Sequence, residues 1–422
     1  MSRRVKAWIG RRAFAHMQRK NFDLSKISFV PESALLPLRR IDVDPVPALT
    51  HTRAANPMAK LDLPFGPNAW LVTGYDEARS VLTDSRNYST DIRHLFGQDG
   101  PATGDDIGGL GFTDPPVHTR LRKMLTPEFT MRRLDRLKPR IDEIIADRLD
   151  AMESAGQGAD LASLFAFPIP FLTICELLGL PSEDQAAFQR LGSARFDVTN
   201  GAAGVFGAVS ESREFLFEAV RKQRQEPGDG LIGHIIREVG DGISDRDLGG
   251  LADGVFTGGY ETTAGLLTMG TYVLLKDPSH FALAREGDEG QVAALVEEML
   301  RYLSVVQLAF PRFAKEDFNL FGHDVQAGDV VFVSLSGANR DPSLGADIER
   351  FDPFRPAKSA HLAFGHGIHR CIGVELARIE LRAAYPALAK RFPNLALAVP
   401  PAELKFRKTS LVYGVEELPV TF

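Results

Sequence analysis

Hydrophobic positions along much of this chain recur with the spacing of α-helices. Residues 134–152 and 208–223 have apolar side chains three and four positions apart, so each predicts an amphipathic helix. Two runs, residues 68–73 and 329–334, are rich in β-branched and aromatic residues and predict strands, as do short runs near 404–411. The pattern therefore predicts a mainly α, α+β protein with its small sheets gathered to one side.

The segment from Ser244 to Pro278 predicts one long helix. Ser244 is followed three residues later by Asp247, a typical N-terminal cap, and Pro278 marks the end. Such a helix of about thirty residues spans roughly 50 Å. Its many interior glycines each cost about 1 kcal/mol relative to alanine, so close packing must require them. We expect a buried helix that passes near a planar ligand, with room for a small molecule beside Gly258 and Gly259.

Composition and charge narrow the class of protein. The 422 residues form no evident linker, so we expect an N-terminal basic arm at 1–25 and a single domain at 26–422. The first twenty residues contain seven Arg or Lys and no acid, which suits a solvated arm, a weak membrane-surface helix or an organelle address. The remainder is acidic, which argues against nucleic-acid binding. The sequence lacks the 18 or more consecutive apolar residues of a membrane span, so we expect a soluble protein.

The two cysteines lie in different surroundings. Cys175 belongs to an apolar helical run and is expected in the core, which argues against a disulfide and for a reducing, cytoplasmic compartment. Cys371 stands among glycines just before an apolar-periodic run, where a helix N-terminus lowers the pKa of a thiol. It is either a thiolate ligand or a structural cysteine beside a glycine turn.

The run from Phe364 to Gly373, with Cys371 seven residues after Phe364, resembles the haem-binding motif of the cytochrome P450 family. The resemblance covers most of the chain and implies a helix-rich triangular prism with haem between two central helices. It further implies that Cys371 is the axial ligand of heme b, iron protoporphyrin IX. Phe364 would then shield the sulfur, His369 would meet a haem propionate, and Gly373 would leave the backbone close to the cofactor.

Directly after Gly258 and Gly259 come Tyr260, Glu261 and Thr262, which look like the oxygen-activation motif of the same family. On that resemblance Thr262 takes part in oxygen activation and Glu261 relays protons from solvent. The alternative is that the Thr262 hydroxyl bonds the carbonyl four residues earlier while Glu261 is simply solvated. The orientation of Tyr260 stays open.

Four cationic residues match the positions at which the family holds its propionates. These are His118, Arg122, Arg312 and His369, and each on its own is an ordinary surface residue. His118 and Arg122 are four apart and share a helix face. Because buried carboxylates need cationic partners, the four together support a haem site.

Glu298 and Arg301 lie three apart on one predicted helix, a spacing usual for a solvated ion pair. The resemblance implies instead that Arg355 joins them in a buried structural triad. The three residues are therefore expected to matter for haem retention.

The leading function is a monooxygenase that inserts one atom of O2 into an apolar small molecule by hydroxylation or epoxidation. Its rival is a haem protein that does not oxygenate, such as a sensor, a carrier, an isomerase or a dehydratase. No flavin domain or iron–sulfur cysteine cluster is evident, so electrons are expected from a separate ferredoxin or flavodoxin with its reductase. We expect an acidic partner to dock on the cysteine side of a monomer, at Lys123, Arg132, Arg133 and Arg370.

The expected substrate pocket is mostly apolar, which suits a terpenoid, steroid, fatty-acid or polyketide-like molecule of secondary metabolism. By resemblance it is lined by the loop at 90–112 and by Val255, Gly258, Val306, Gln307, Leu308, Ser410 and Leu411.

Overall fold

The computed structural model describes residues 35–61, 68–92, 109–180, 201–356, 358–408 and 410–422, with the backbone alone for 201–212. The basic arm at 1–25 and most of the predicted pocket loop at 90–112 lie outside these ranges. Among the described residues, no helix combines the length and the hydropathy needed to cross a bilayer.

Helices dominate the described chain, as the apolar periodicity predicts. In order they are α1 (Pro47–Ala55), α2 (Tyr75–Thr83), α3 (Val117–Leu125), α4 (Met131–Leu134), α5 (Lys138–Ala155), α6 (Pro168–Leu178), α7 (Gly201–Gln225), α8 (Leu231–Val239), α9 (Asp245–Lys276), α10 (Pro278–Glu286), α11 (Glu289–Leu303), α12 (Leu335–Ala338) and α13 (Val374–Arg391). Short 3-10 turns at Gly109–Phe112 and Gly367–His369 flank the candidate site.

The predicted long helix is confirmed as α9. It has 32 residues, and the Ser244 hydroxyl caps it by accepting a hydrogen bond from the Asp247 N–H at 3.0 Å. Most of α9 is buried, because α6, α7, α10, α11 and α13 pack around it. It is therefore the central helix around which the other helices are arranged.

Glycines in α9 allow neighbouring helices to approach closely. A Cβ at Gly259 would lie 2.7 Å from Cδ1 of Ile174 on α6, and one at Gly270 would overlap the Tyr385 hydroxyl on α13. A Cβ at Gly258 would meet no heavy atom within 4 Å. The space predicted beside both glycines therefore exists at Gly258 but not at Gly259, where α6 fills it.

The main sheet has the strand order β3-β4-β10-β7-β5. Its members are β3 (Met58–Leu61), β4 (Ala69–Val72), β5 (Tyr88–Ser89), β7 (Arg312–Ala314) and β10 (Val330–Val333). The predicted strands β4 and β10 pair in parallel, with Ala69 opposite Val330. Smaller sheets pair β1 (Arg40–Ile41) with β2 (Asp44–Pro45), β8 (Phe318–Leu320) with β9 (His323–Val325), and join β6 (Ala159–Asp160), β12 (Pro419–Thr421) and β11 (Ala396–Leu397).

The strand predicted near 404–411 is reduced to isolated pairings. Phe406 pairs with Val415, and we call residues 406–408 and 410–415 the C-terminal hairpin. Val412 of this hairpin pairs with Val306, in the segment that follows α11. The hairpin therefore lies beside the segment predicted to face the substrate.

Candidate active site

Cys371 lies in a tight loop directly before α13. Its N–H donates a hydrogen bond to the Phe364 carbonyl at 2.9 Å and closes the loop. Gly365 and Gly367 have φ values of 68° and 72°, a region that side-chain-bearing residues rarely adopt. Gly367 also lies against the Leu82 carbonyl, where a Cβ would not fit. Glycines thus fix the loop that presents the sulfur near the start of α13.

The Cys371 side chain has exposed surface, yet protein atoms surround it closely. Burial raises the pKa of its thiol, while the Gly373 N–H and the charges of Arg122 and Arg370 act in the opposite direction. The net direction is upward, so the lowered pKa expected from the helix N-terminus is wrong here, because burial outweighs the favourable charges. A metal bound to the sulfur would displace the proton in any case.

Phe364 is half-buried in the same loop. The Arg378 guanidinium lies 5.5 Å from the centre of its ring, and the His361 ring lies 5.9 Å away. Its side chain is therefore held against the start of α13, on the segment that leads to the cysteine.

His118 and Arg312 are buried and His369 is half-buried, and together they form a cluster of basic side chains that we call the cationic cluster. The ring centres of His118 and His369 are 4.5 Å apart. Burial, followed by the charge of Arg312, lowers the pKa of His369 to about 3. Burial, followed by the charge of Arg122, lowers the pKa of His118 to about 4. Arg122 itself donates a hydrogen bond to the Arg370 carbonyl at 2.8 Å, so it lies between the cluster and the cysteine loop.

The cationic cluster fits the carboxylates of a haem. His118 is 2 % exposed, and its Nε2 is buried without a hydrogen-bond partner. The nearby acid, Asp114, already accepts hydrogen bonds from Ser89 and Thr90. With pKa values near 3 and 4 the two imidazoles are neutral at pH 7, so the positive charge comes from Arg312 and Arg122. An unsatisfied buried nitrogen beside these guanidinium groups is costly, and an anionic oxygen would offset both costs. The residues present are therefore suited to bind haem propionates.

Glu261 and Thr262 lie on α9, one helical turn after Gly258. Glu261 is 0 % exposed and forms an ion pair with Arg407 of the C-terminal hairpin. The alternative of a solvated Glu261 is therefore wrong. The Thr262 hydroxyl donates to the Gly258 carbonyl at 2.8 Å, the bond that the other alternative describes. Arg407 has no local sequence signal for this contact, since the contact depends on how the hairpin packs against α9.

Tyr260, whose orientation the sequence left open, packs into the core. It is 1 % exposed, and its ring centre lies 5.9 Å from that of Phe171, 5.9 Å from Phe256 and 6.2 Å from Phe167. Tyr260 therefore faces the aromatic residues around α6.

The predicted pocket residues fall into two groups. Val255 is buried on α9, and Val306, Leu308 and Leu411 are half-buried. Gln307 differs, because its amide is occupied by the protein.

Gln307 is 0 % exposed, and its side chain connects the two segments that are predicted to line the pocket. Its Oε1 accepts from Arg40 at 2.9 Å, and its Nε2 donates to the Ser410 carbonyl at 2.8 Å and the Leu38 carbonyl at 3.2 Å. The side chain therefore fixes the segment after α11 to the C-terminal hairpin and has no polar group left for a ligand.

Glu298, Arg301 and Arg355 meet as the resemblance implies. Arg301 makes a two-pronged pair with Glu298, with both distances 2.7 Å, and Arg355 approaches Glu298 at 3.9 Å. Arg301 also donates to the carbonyls of Asn339, Ile348 and Arg350. All three side chains are less than a tenth exposed. The triad therefore ties α11 to the segment that leads to the cysteine loop.

Comparison with known proteins gives a consistent result. The cytochrome P450 family model matches residues 291–408. Cytochrome P450 165B3 of Amycolatopsis orientalis is 37% identical over 395 residues, covering 92% of this chain and 98% of that protein. The monooxygenase PikC of Streptomyces venezuelae is 40% identical over 381 residues, covering 89% and 91%.

Solved structures agree with the sequence comparison. OxyC, described as a cytochrome P450 implicated in an oxidative C–C coupling reaction during vancomycin biosynthesis, superposes with a TM-score of 0.81 at 38% identity, covering 93% of this chain and 97% of that one. CYP105P1 in complex with filipin I superposes with a TM-score of 0.84 at 38% identity, covering 91% and 97%. The predicted fold is thus confirmed.

Proposed function

This chain belongs to the cytochrome P450 family and is a monooxygenase with a haem-iron cofactor, and we propose that it oxidises an apolar small molecule of secondary metabolism. Pentalenic acid synthase and mycinamicin IV hydroxylase/epoxidase are relatives at 37% and 36% identity. Relatives with such activities do not favour the non-oxygenating alternative. The half-buried Val306, Leu308 and Leu411 supply an apolar surface for the substrate.

The cofactor is proposed to be heme b, with Cys371 as its axial ligand and with His118, Arg312 and His369 as partners of the propionates. Arg122 would add positive charge between the propionates and the sulfur. When bound, the haem supplies the iron at which O2 takes up two electrons and two protons, one oxygen entering the substrate and the other leaving as water. The unpartnered Nε2 of buried His118, beside the His369 ring and the positively charged Arg312, is the observation that carries this assignment.

The thiolate assignment is tested by the absorption of the reduced, carbon-monoxide-treated protein. A Cys371→Ser variant is expected to lose the red-shifted band that a thiolate ligand gives. Cys175→Ser is the matched control, because Cys175 is 3 % exposed in α6 and is expected to leave the band unchanged. A band that survives in Cys371→Ser contradicts the assignment.

Thr262 and Glu261 are proposed to hold and move protons beside Gly258. The Thr262 hydroxyl can leave the Gly258 carbonyl by rotating about its χ1 bond and donate into the open space there. Thr262→Ala should therefore divert electrons from product to peroxide, whereas Thr262→Ser, which keeps the hydroxyl, should stay near the wild type. Equal product yield per reductant in Thr262→Ala would contradict this role.

Electrons are proposed to come from an acidic ferredoxin or flavodoxin, reduced by its own reductase, that docks on the cysteine side. Lys123, Arg132 and Arg370 are exposed, whereas Arg133 is half-buried and paired with Glu128 at 3.6 Å, so Arg133 should contribute least. A cleft of about 280 Å³ beside Arg370 adds further positive charge from Arg79.

The docking surface is tested by reversing charge at Lys123, Arg132 and Arg370 in turn. Each reversal should slow reduction by the partner and weaken its salt dependence. Arg391→Glu is the control, since Arg391 lies at the far end of α13, where it pairs with Asp150 and Glu153 of α5. Unchanged reduction in all three variants would place the docking surface elsewhere.

The substrate class is tested by titrating the ferric protein with terpenoids, steroids, fatty acids and polyketides. Compounds that fill the pocket should shift the haem absorption by displacing water from the iron. We also propose a cytoplasmic location, which the two unpaired cysteines support. We further propose a monomer, which the mass of the purified protein in solution tests.

A further inference from the structure

The ion pair between Glu261 and Arg407 connects two segments that both reach the active site. Glu261 lies on α9 next to Thr262, and Arg407 lies at the base of the C-terminal hairpin, which also carries Leu411. The family resemblance gives Glu261 a role but assigns none to Arg407.

Burial makes the pair significant. The Glu261 side chain is 0 % exposed and that of Arg407 is 16 % exposed. An ionised carboxylate in such a place requires a counter-charge, and the guanidinium supplies it. A guanidinium stays protonated at any working pH, so Arg407 cannot itself pass a proton on. Because Arg407 holds an oxygen of the Glu261 carboxylate, turning that carboxylate away from Arg407 would free this oxygen to exchange protons towards Thr262.

The position of Arg407 is fixed by the hairpin. Its N–H donates to the Gly414 carbonyl at 2.8 Å, and its guanidinium lies 5.4 Å from the ring centre of Phe167. The hairpin also touches α9 one turn after Glu261, where a Cβ at Gly265 would lie 3.4 Å from the Tyr413 carbonyl. A displacement of the hairpin would thus move Arg407 relative to α9.

The same hairpin is coupled to the other pocket-lining segment. The Gln307 N–H donates to the Leu411 carbonyl at 3.0 Å, and the Tyr413 N–H donates to the Val305 carbonyl at 2.7 Å. A substrate that displaces Leu411 or Leu308 would therefore also displace the C-terminal hairpin, which carries Arg407.

From these contacts we propose that Arg407 is a positioning residue that keeps Glu261 ionised and withdrawn from Thr262 until substrate displaces the C-terminal hairpin. The inference rests on the proposed roles of Glu261 and Thr262. This arrangement links the binding of substrate in the pocket to the delivery of protons, so that reductant is consumed when substrate is bound.

The first test is an unfolding cycle on the purified haem protein with Arg407→Gln, Glu261→Gln and the double variant. Arg407→Gln should lower the denaturation midpoint by stranding the buried carboxylate, and adding Glu261→Gln should restore most of the loss. Arg391→Gln, which opens an exposed pair, should leave the midpoint unchanged. Additive losses in the double variant would overturn the proposed pairing.

The second test measures the reductant consumed in the absence of substrate and the solvent isotope effect on that consumption. Without substrate, Arg407→Gln should consume reductant faster and change the isotope effect, because Glu261 is no longer withdrawn from Thr262, while Arg407→Lys, which keeps the charge, should recover much of the wild-type behaviour. A merely structural role would leave the isotope effect at the wild-type value, and that result would overturn the inference.

The spectrum of each variant with carbon monoxide separates this inference from the proposed function. If the wild type lacks the thiolate band, the thiolate assignment fails and the inference fails with it. If the band is present in every variant but Arg407→Gln matches the wild type in substrate-free reductant consumption and in its isotope effect, the role of Arg407 alone is contradicted.

Discussion

Two buried clusters of charged side chains differ in how their charges are balanced. In the triad, Glu298 and Arg301 share two hydrogen bonds of 2.7 Å, and Arg301 gives its other protons to backbone carbonyls. In the cationic cluster, burial and then the charge of Arg312 lower the pKa of His369, burial and then the charge of Arg122 lower that of His118, and Nε2 of His118 has no partner. Arg301 and Glu298 make all their hydrogen bonds within the protein, although Nε of Arg355 has no partner, whereas the cationic cluster holds, among the described residues, no acid that pairs with His118 and has capacity left for an anion.

The difference separates a structural role from a binding role. A buried ion pair with all its hydrogen bonds made contributes to the folded state, and removing one member strands the other. Buried basic groups that lack an acidic partner, here the guanidinium of Arg312 and the neutral imidazoles beside it, cost folding energy and recover part of it when an anionic ligand binds. The triad and the cationic cluster are both largely buried, yet mutating one of their members is expected to have different consequences for stability.

The largest effect is expected from breaking the balanced cluster. Arg301→Ala leaves Glu298 buried with Arg355 as its only and more distant counter-charge, and it removes the Arg301 hydrogen bonds to the carbonyls of Asn339 and Ile348. We expect a loss of roughly 3–5 kcal/mol in the free energy of unfolding, measured by urea denaturation. Arg285→Ala, which opens an exposed pair with Glu286, should cost less than about 1 kcal/mol. A similar loss of unfolding free energy in Arg301→Ala and Arg285→Ala would contradict the structural role of the buried pair.

A smaller effect is expected from Arg312→Ala in the cationic cluster. Because Arg312 offers hydrogen bonds to a propionate, its loss should weaken haem binding by roughly 1.5–3 kcal/mol. The haem-free protein should lose less stability than Arg301→Ala does, since a repelling charge is removed. Haem transfer to an acceptor protein and urea denaturation measure the two quantities. If Arg312→Ala and Arg301→Ala show the same ratio of lost haem affinity to lost free energy of unfolding, the comparison between the two clusters is contradicted.

The smallest effect concerns pH. Burial, followed by the charge of Arg122, lowers the pKa of His118 to about 4, whereas an unfolded histidine has a pKa of about 6.5. Between these values the unfolded chain binds more protons, so stability is full above about pH 6.5 and falls as the pH drops towards 4. His118→Gln should flatten this part of the curve in the haem-free protein, measured as unfolding midpoints at several pH values.

A matched control for the pH experiment is His51→Gln, because His51 is exposed on α1. Its curve should follow the wild type. If His118→Gln also follows the wild type throughout, the buried imidazole does not contribute to the acid sensitivity.

The sequence predicted features that depend on neighbouring residues. The ends of α9 followed from Ser244 and Pro278, because capping and proline act within one turn. The strands β4 and β10 followed from their β-branched composition, although their parallel pairing did not. The cysteine loop was predictable for the same reason, since its turns require glycines at fixed positions.

Features set by distant contacts were missed. Gly259 was expected to border a ligand, but Ile174 on α6 occupies that side. Gln307 was expected in the pocket, but Arg40, more than 260 residues earlier, takes its amide oxygen. Arg407 gave no local signal, because its partner Glu261 is 146 positions away. Each of these contacts arises from packing between segments, which a single sequence does not display.

The adjacent glycines of α9 have unequal tolerance to change. At Gly258 a methyl group would meet open space and would improve helix propensity by about 1 kcal/mol, whereas at Gly259 it would crowd the end of the Ile174 side chain on α6. A larger residue at Gly258 can therefore reduce the space beside α9 without disturbing the packing against α6, whereas the same change one residue later requires Ile174 to move.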